Sequence, residues 1–363
     1  MSVNEQAVLT AMSKVMDPEL NQDLVKLGMV KELKIDGANV SLKIELTTPA
    51  CPLKDKIRKD TEEALKTVPG IGTMQINFGS RVRAAPAGSA TEAMLPGVKN
   101  VILVGAGKGG VGKSTVALNL AVALSKHGAK VGLLDADFYG PSIPTMTGVN
   151  KKPVSHDGKK LEPIEAHGIV VMSIGFLIEP DQALVWRGPM LHGALTQLVR
   201  DVNWGELDYL VMDLPPGTGD VALSLSQSVR AAGAVLVTTP QDVALADVVR
   251  AKQMFDKVRI PVLGIIENMS IFVCPHCHQG THIFDTGGGR KAAEAFDIPF
   301  LGELPLELKV RAGGDSGLPI VAGDPTGPEA RRFMDIAATV AGRVSKENMR
   351  VRLPVMQPQA AAH

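Results

Sequence analysis

The chain has 363 residues, 45 % of them hydrophobic, which is long and apolar enough for two domains with a sizeable core. Lys plus Arg equals Asp plus Glu at 38 each, so overall charge gives no reason to expect nucleic acid or an anionic membrane as a partner. No apolar run approaches the roughly 18 residues of a membrane helix, and the N-terminus lacks the basic and apolar segments of a signal peptide. The cysteines, Cys51, Cys274 and Cys277, are too sparse for a disulfide scaffold, so a cytoplasmic, reducing setting is expected.

Residues 1–83 are expected to form a small α+β domain in the order α-β-β-α-β. Val8, Met12 and Val15 share a helical face, and Asp17-Pro18 should end that helix. Leu33 and Ile35 suggest a short strand, and Val40, Leu42, Ile44 and Leu46 alternate with polar residues as a half-buried strand does. Leu53, Ile57 and Leu65 recur at helical spacing, and Met74, Ile76 and Phe78 form a last strand. Cys51 stands just before the second helix. There a thiol leans toward the thiolate, whereas a free cysteine is also a common small buried hydrophobe.

Residues 84–97, rich in Ala, Pro, Gly and Ser, read as a linker. From 98 to about 345, strands and helices alternate, which predicts a mostly parallel sheet with helices on both faces. Residues 346–363, ending in a Pro- and Ala-rich stretch, are expected to be a flexible tail.

The first strand of this region, Val101-Ile-Leu-Val104, leads into Gly107-Lys-Gly-Gly-Val-Gly-Lys-Ser114, which fits G-x-x-x-x-G-K-[ST], the phosphate-binding loop of a P-loop NTPase. Gly107, Gly109, Gly110 and Gly112 let backbone N–H groups turn inward as an anion nest around Lys108 and Val111, and the helix entered at Lys113, Ser114 and Thr115 adds its positive end. Lys113 can reach the β- and γ-phosphates of ATP, and the Ser114 hydroxyl can ligate Mg²⁺.

Further strands are expected at Val131–Leu134, Ile169–Met172, Tyr209–Met212, Ala234–Val237 and Val262–Ile266. Ligands in such sheets sit beyond the carboxyl ends of the strands, where Asp137, Asp213 and Asn268 fall. Asp213, after an apolar strand, suits the Mg²⁺ shell. Gly217 or a neighbouring N–H suits γ-phosphate sensing, and Asp137 suits orientation of the attacking water unless it merely caps its turn.

Cys274-Pro-His-Cys277 leaves several readings open: a redox pair, a zinc site with His278 or His282, a structural turn, or half of a 4Fe–4S site. The last follows from ligand count, because such a cluster takes four thiolates and one chain offers two here.

The loop with its second lysine, Lys108, resembles the deviant P-loop of the MinD, Mrp and nitrogenase-iron-protein class. The likeness extends to Asp135-Ala-Asp-Phe-Tyr-Gly-Pro-Ser142, Trp186-Arg-Gly-Pro189, Met212-Asp-Leu-Pro-Pro-Gly-Thr-Gly-Asp220, Thr239-Pro-Gln-Asp-Val-Ala-Leu-Ala246, Glu267-Asn-Met-Ser270 and the cysteine pair. As a set, these resemble the Mrp/ApbC family of iron–sulfur cluster carrier ATPases. Asp17-Pro18-Glu19 with Cys51 resembles the small domain of iron–sulfur assembly proteins. The resemblance implies ATP hydrolysis with Mg²⁺, a homodimer in which Lys108 reaches the partner's nucleotide, and adenine reading by Asn268. It also implies a transferable cluster on Cys274 and Cys277, received from scaffold proteins and passed to apo-proteins. The rival is a MinD/ParA-like positioning ATPase with a structural zinc.

Overall fold

A computed structural model gives the fold of residues 3–85, 94–178, 188–217, 223, 229–277 and 279–350, with the backbone alone for 188–192 and 242–245. The chain opens on the helix Glu5–Met12, whose N-cap Asn4 accepts from the Ala7 N–H. This helix stops well before Asp17-Pro18. The N–H groups of Lys14 and Val15 fold back onto the carbonyls of Ala11 and Met12, and β1 (Met16–Asp17) then pairs with β2 (Gln22–Asp23). Val15 is therefore buried from a turn and not from the helix.

Strands β3 (Val30–Asp36), β4 (Asn39–Leu46) and β5 (Met74–Ser80) form a sheet in that order, antiparallel and then parallel. Val40, Leu42, Ile44 and Leu46 point to one face, where Ile57 and Leu65 of the helix Lys54–Lys66 cover them. Each fully buried aliphatic side chain here contributes about 1.5–3 kcal/mol relative to exposure.

The larger sheet comprises β6 (Val101–Gly105), β7 (Val131–Asp135), β8 (Ile164–Ala166), β9 (Ile169–Ser173), β10 (Tyr209–Asp213), β11 (Ala231–Thr238), β12 (Val262–Val273), β13 (Gly280–Thr281) and β14 (Phe300–Leu306). Among the described residues the order is β13-β12-β11-β6-β10-β7-β9-β8, with β14 also on β12. Among the described strands, only β8 and β13 run antiparallel to their neighbours. Side chains alternate across the sheet. From β6, Ile102 and Val104 pack with Val116, Leu120 and the C-terminal helix Pro328–Met349, while Val101 and Leu103 pack with Leu195, Leu198 and Phe255 on the other face. Burial on both faces explains why these strands read as continuous apolar runs.

Two stretches differ from the sequence reading. Leu95, inside the expected linker, is buried in the core of the large sheet. The last helix runs to Met349, into the expected tail, because Met349 packs on the small region's core and Asn348 donates to the carbonyl of Arg83 and to Asn100 Oδ1. Residues 351–363 lie outside the described residues.

The small region sits at the N-terminal ends of the large sheet's strands. Tyr209, the first residue of β10, donates to Thr48 Oγ1 at 3.2 Å, Arg83 donates to the Leu27 carbonyl, and Ala50 joins the larger core. Cys51, next along that loop, therefore stands at the end of the sheet opposite to Asp213. Among the described residues no helix is long and apolar enough to cross a membrane.

Candidate functional site

The phosphate loop leaves β6 and enters the helix Lys113–Lys126 through Gly112, whose φ of +79° favours glycine. An added Cβ at Gly112 would also strike the Asn268 side chain. Gly107 is equally confined, with its missing side chain facing the backbone of Asp247. Gly109 and Gly110 are exposed at the loop's tip, Val111 is buried beneath it, and Thr115 turns toward a cavity described below.

Lys113 is buried, and its ammonium donates to Asp213 Oδ1 at 2.5 Å and lies 4.0 Å from Asp137 Oδ2. Ser114 Oγ stands 3.4 Å from the same ammonium. Register brings a third carboxylate in, because Asp213 of β10 pairs directly with Asp135 of β7. Asp135 is fully buried, accepts from Ser173 Oγ at 2.9 Å and from the Asp137 N–H, and its carboxyl is pushed up to about 7 by burial and by the neighbouring Asp213. Burial likewise raises Asp213, with Lys113 pulling back. Burial also raises Asp137, against Lys113 and the N–H groups of Gly140 and Tyr139. Lys113 thus stands between two acidic side chains, Asp213 and Asp137, beyond the carboxyl ends of the strands. Asp213 Oδ2 is buried without a hydrogen-bond partner, which fits a Mg²⁺-bound water, and the Ser114 hydroxyl beside Lys113 fits the metal itself.

A pH prediction follows from Asp135. Folded, it keeps its proton to about pH 7. Unfolded, it loses the proton near ~4. The native state therefore binds more protons across that window, and stability falls as pH rises through it. Denaturant unfolding in chelator without nucleotide should show the parent losing about 1–3 kcal/mol more than Asp135→Asn between those limits. Parallel profiles for the two proteins would count against it.

Gly217 has φ of +85° and its N–H donates to the Ala106 carbonyl at 3.0 Å. That N–H is engaged at the loop's base, so a phosphate would be met by a neighbouring N–H in this conformation. Thr218, Gly219 and Asp220, like Trp186 and Arg187, lie outside the described residues.

Asn268 lies within β12, which continues past the expected end at Ile266 as far as Val273. Its Nδ2 donates to the Val111 carbonyl at 2.9 Å, which leaves Oδ1 as an acceptor. Beside it a cavity of about 440 Å³ is lined by Thr115, Met146, Met269, Pro305 and Val310, among others. Two thioether faces and a proline next to one amide acceptor suit a purine carrying an amino group.

Beyond Met269, where φ is +58°, β12 runs to Val273 and Cys274 follows it. The pairings Phe272–Thr281 and Val273–Gly280 with β13, and the bond from Cys274 N–H to the Gln279 carbonyl, make the cysteine pair the tip of a hairpin. Cys277 is exposed and Cys274 partly so. The N–H groups of Cys277 and His276 hold the Cys274 thiol below its ordinary value. His282 turns away, with Nδ1 3.1 Å from the Ser270 carbonyl, and His278 is outside the described residues. Among those described, no three His, Cys, Asp or Glu side chains gather to hold a metal.

Cys51 does not join this group. It packs on the small region's core, and burial pushes its thiol up to about 11, so the proposed lean toward the thiolate is corrected to a protonated, half-buried side chain. Asp17 Oδ1 accepts from the N–H groups of Glu19 and Leu20, an ordinary turn.

Sequence reasoning passed over Asp135, Gln241 and Glu267 as site residues. Gln241 Oε1 accepts from Lys108 at 3.2 Å, and buried Glu267 accepts from the Gly289 N–H. Asp135 alone left a signal, an acidic residue ending an apolar strand as Asp213 ends its own.

Comparison with known proteins agrees with this geometry. Residues 97–341 match the family model described as NUBPL iron-transfer P-loop NTPase. The chain belongs to this NUBPL/Mrp family. Residues 5–78 match a second model, iron-sulfur cluster assembly protein. An iron-sulfur cluster carrier protein of Deinococcus radiodurans is 53 % identical over 340 residues, covering 93 % of this chain and 95 % of the relative. A nucleotide-binding protein from Archaeoglobus fulgidus, solved in complex with ADP, superposes with a TM-score of 0.59 at 40 % identity, covering 68 % of this chain and 96 % of that one. The Pyrococcus furiosus cell-division ATPase MinD shares the fold, with a TM-score of 0.52 at 24 % identity over 66 % of this chain and 98 % of its own. The mostly parallel sheet and the P-loop NTPase assignment read from the sequence thus hold for this NUBPL/Mrp member.

Proposed function

We propose that this chain is an ATP-hydrolysing carrier that takes an iron–sulfur cluster from a scaffold protein and passes it to apo-proteins, working as a homodimer in a reducing, cytoplasmic setting. The observation that carries the reading is β12. One strand holds Asn268 against the phosphate loop and leads at Val273 into the hairpin tip that carries the thiol pair. The family membership and the carrier relative support it.

ATP's phosphates enter the glycine nest, and its adenine amino group donates to Asn268 Oδ1. Lys113 turns from Asp213 onto the β- and γ-phosphates, which leaves Asp213 and Ser114 for the Mg²⁺ shell. Asp137, beside Lys113, orients the attacking water, and Lys108 reaches the nucleotide of the second copy. Cys274 and Cys277 of both copies complete four thiolates around a 4Fe–4S cluster, which is cargo and suitably exposed. The division into a 1–83 assembly-type domain and a 98–345 ATPase domain belongs to the same proposal.

Anaerobic reconstitution with iron and sulfide tests it. The expected result is about two irons and two sulfides per chain, a broad absorbance near ~400 nm, and loss of that absorbance to an apo-ferredoxin. Stoichiometric zinc without sulfide would replace the carrier with a zinc-stabilised positioning ATPase.

A further inference from the structure

Within one chain Lys108 is already engaged. Its ammonium donates to Gln241 Oε1 at 3.2 Å, and the Thr239 hydroxyl donates to the same oxygen at 3.0 Å. Thr239 is buried, so the amide oxygen is fixed from behind. Helix capping does not account for this orientation. Gln241 is the N-cap of the helix Asp242–Lys257, yet its side chain makes no cap hydrogen bond. Nor is the turn loose. A Cβ added at Gly288 would meet the Pro240 carbonyl, so residues 239–241 are wedged between the phosphate loop and the glycine turn that follows the cysteine hairpin.

If Lys108 serves the nucleotide of a second copy, as proposed above, it must first leave Gln241. We infer that Gln241, braced by Thr239, is a positioning residue that latches Lys108 within its own chain and sets the protein concentration at which ATP drives dimerisation. This inference rests on the dimer reading of Lys108. The latch is a single charge-to-neutral hydrogen bond, strong enough to bias the equilibrium and weak enough to be released. A carboxylate at 241 would turn it into an ion pair.

The test uses the full-length chain with Mg²⁺ and ATP. The midpoint concentration for dimerisation is read by sedimentation, and that for hydrolysis by turnover against protein concentration. Gln241→Ala should lower both midpoints about threefold. Gln241→Glu should raise them about tenfold, by an amount that shrinks as salt is added. Thr239→Val, which removes the brace and leaves the amide, should move them in the same direction as Gln241→Ala. A merely structural role would shift Gln241→Ala and Gln241→Glu the same way. That outcome, or no shift in either while Lys108→Ala is inactive, overturns the latch and leaves the dimer reading standing. If Lys108→Ala hydrolyses ATP like the parent, the dimer reading fails and the latch falls with it.

Discussion

Lys113→Ala is expected to slow ATP hydrolysis about 100- to 1000-fold, because on the proposed reading it removes the buried ammonium that follows charge onto the γ-phosphate. The same ammonium stands 2.5 Å from Asp213, which is fully buried, so the substitution also strips a carboxylate of its partner. Breaking a buried pair costs about 3–5 kcal/mol when the remaining charge stays ionised. Asp213 escapes most of that cost by taking a proton, which burial already favours. Measurement should therefore find a folded protein, mildly destabilised and more so at alkaline pH, with turnover near background. Parental turnover in Lys113→Ala would remove the nucleotide site from this loop.

Cys274→Ala and Cys277→Ala should each abolish cluster retention after anaerobic reconstitution, while nucleotide binding persists. Each dimer would keep two of four thiolates, too few for a 4Fe–4S shell. The hairpin tip is exposed and lies on a different loop from Gly107–Ser114, so neither change disturbs the phosphate nest. Cys51→Ala should retain the cluster, since that thiol packs on the small region's core at the far end of the sheet. The readouts are iron and sulfide content beside fluorescent-nucleotide binding. Full cluster content in either hairpin variant, or its loss in Cys51→Ala, would place the cargo elsewhere.

Local chemistry was legible in the sequence wherever one stretch of backbone makes the feature. The phosphate loop needs only an apolar strand, glycines at set intervals and a helix start, all within Val101–Lys126, and local φ/ψ preference secures them. The cysteine pair, the acidic ends of β7 and β10, and the alternation of strand and helix that makes the sheet mostly parallel are of the same kind. The first helix ends at Met12, short of Asp17-Pro18, because a proline marks where a helix cannot continue, not where it stops. The last helix runs on to Met349, past the expected boundary at 345, because Met349 and Asn348 find partners more than 200 positions upstream.

What only the tertiary structure decided is which distant residues meet. Asp135 faces Asp213 because β7 and β10 are neighbours in register; burial raises the proton affinity of both, and the charge of Asp213 adds to it for Asp135. Lys113 on Asp213, Lys108 on Gln241 and Asn268 on Val111 each join residues at least 100 positions apart. Strand order and register follow from covering both faces of one sheet, a condition on the whole chain that no short stretch of sequence records. Cys51 shows the same division: its position before a helix was plain in the sequence, and its protonation was settled by what packs around it.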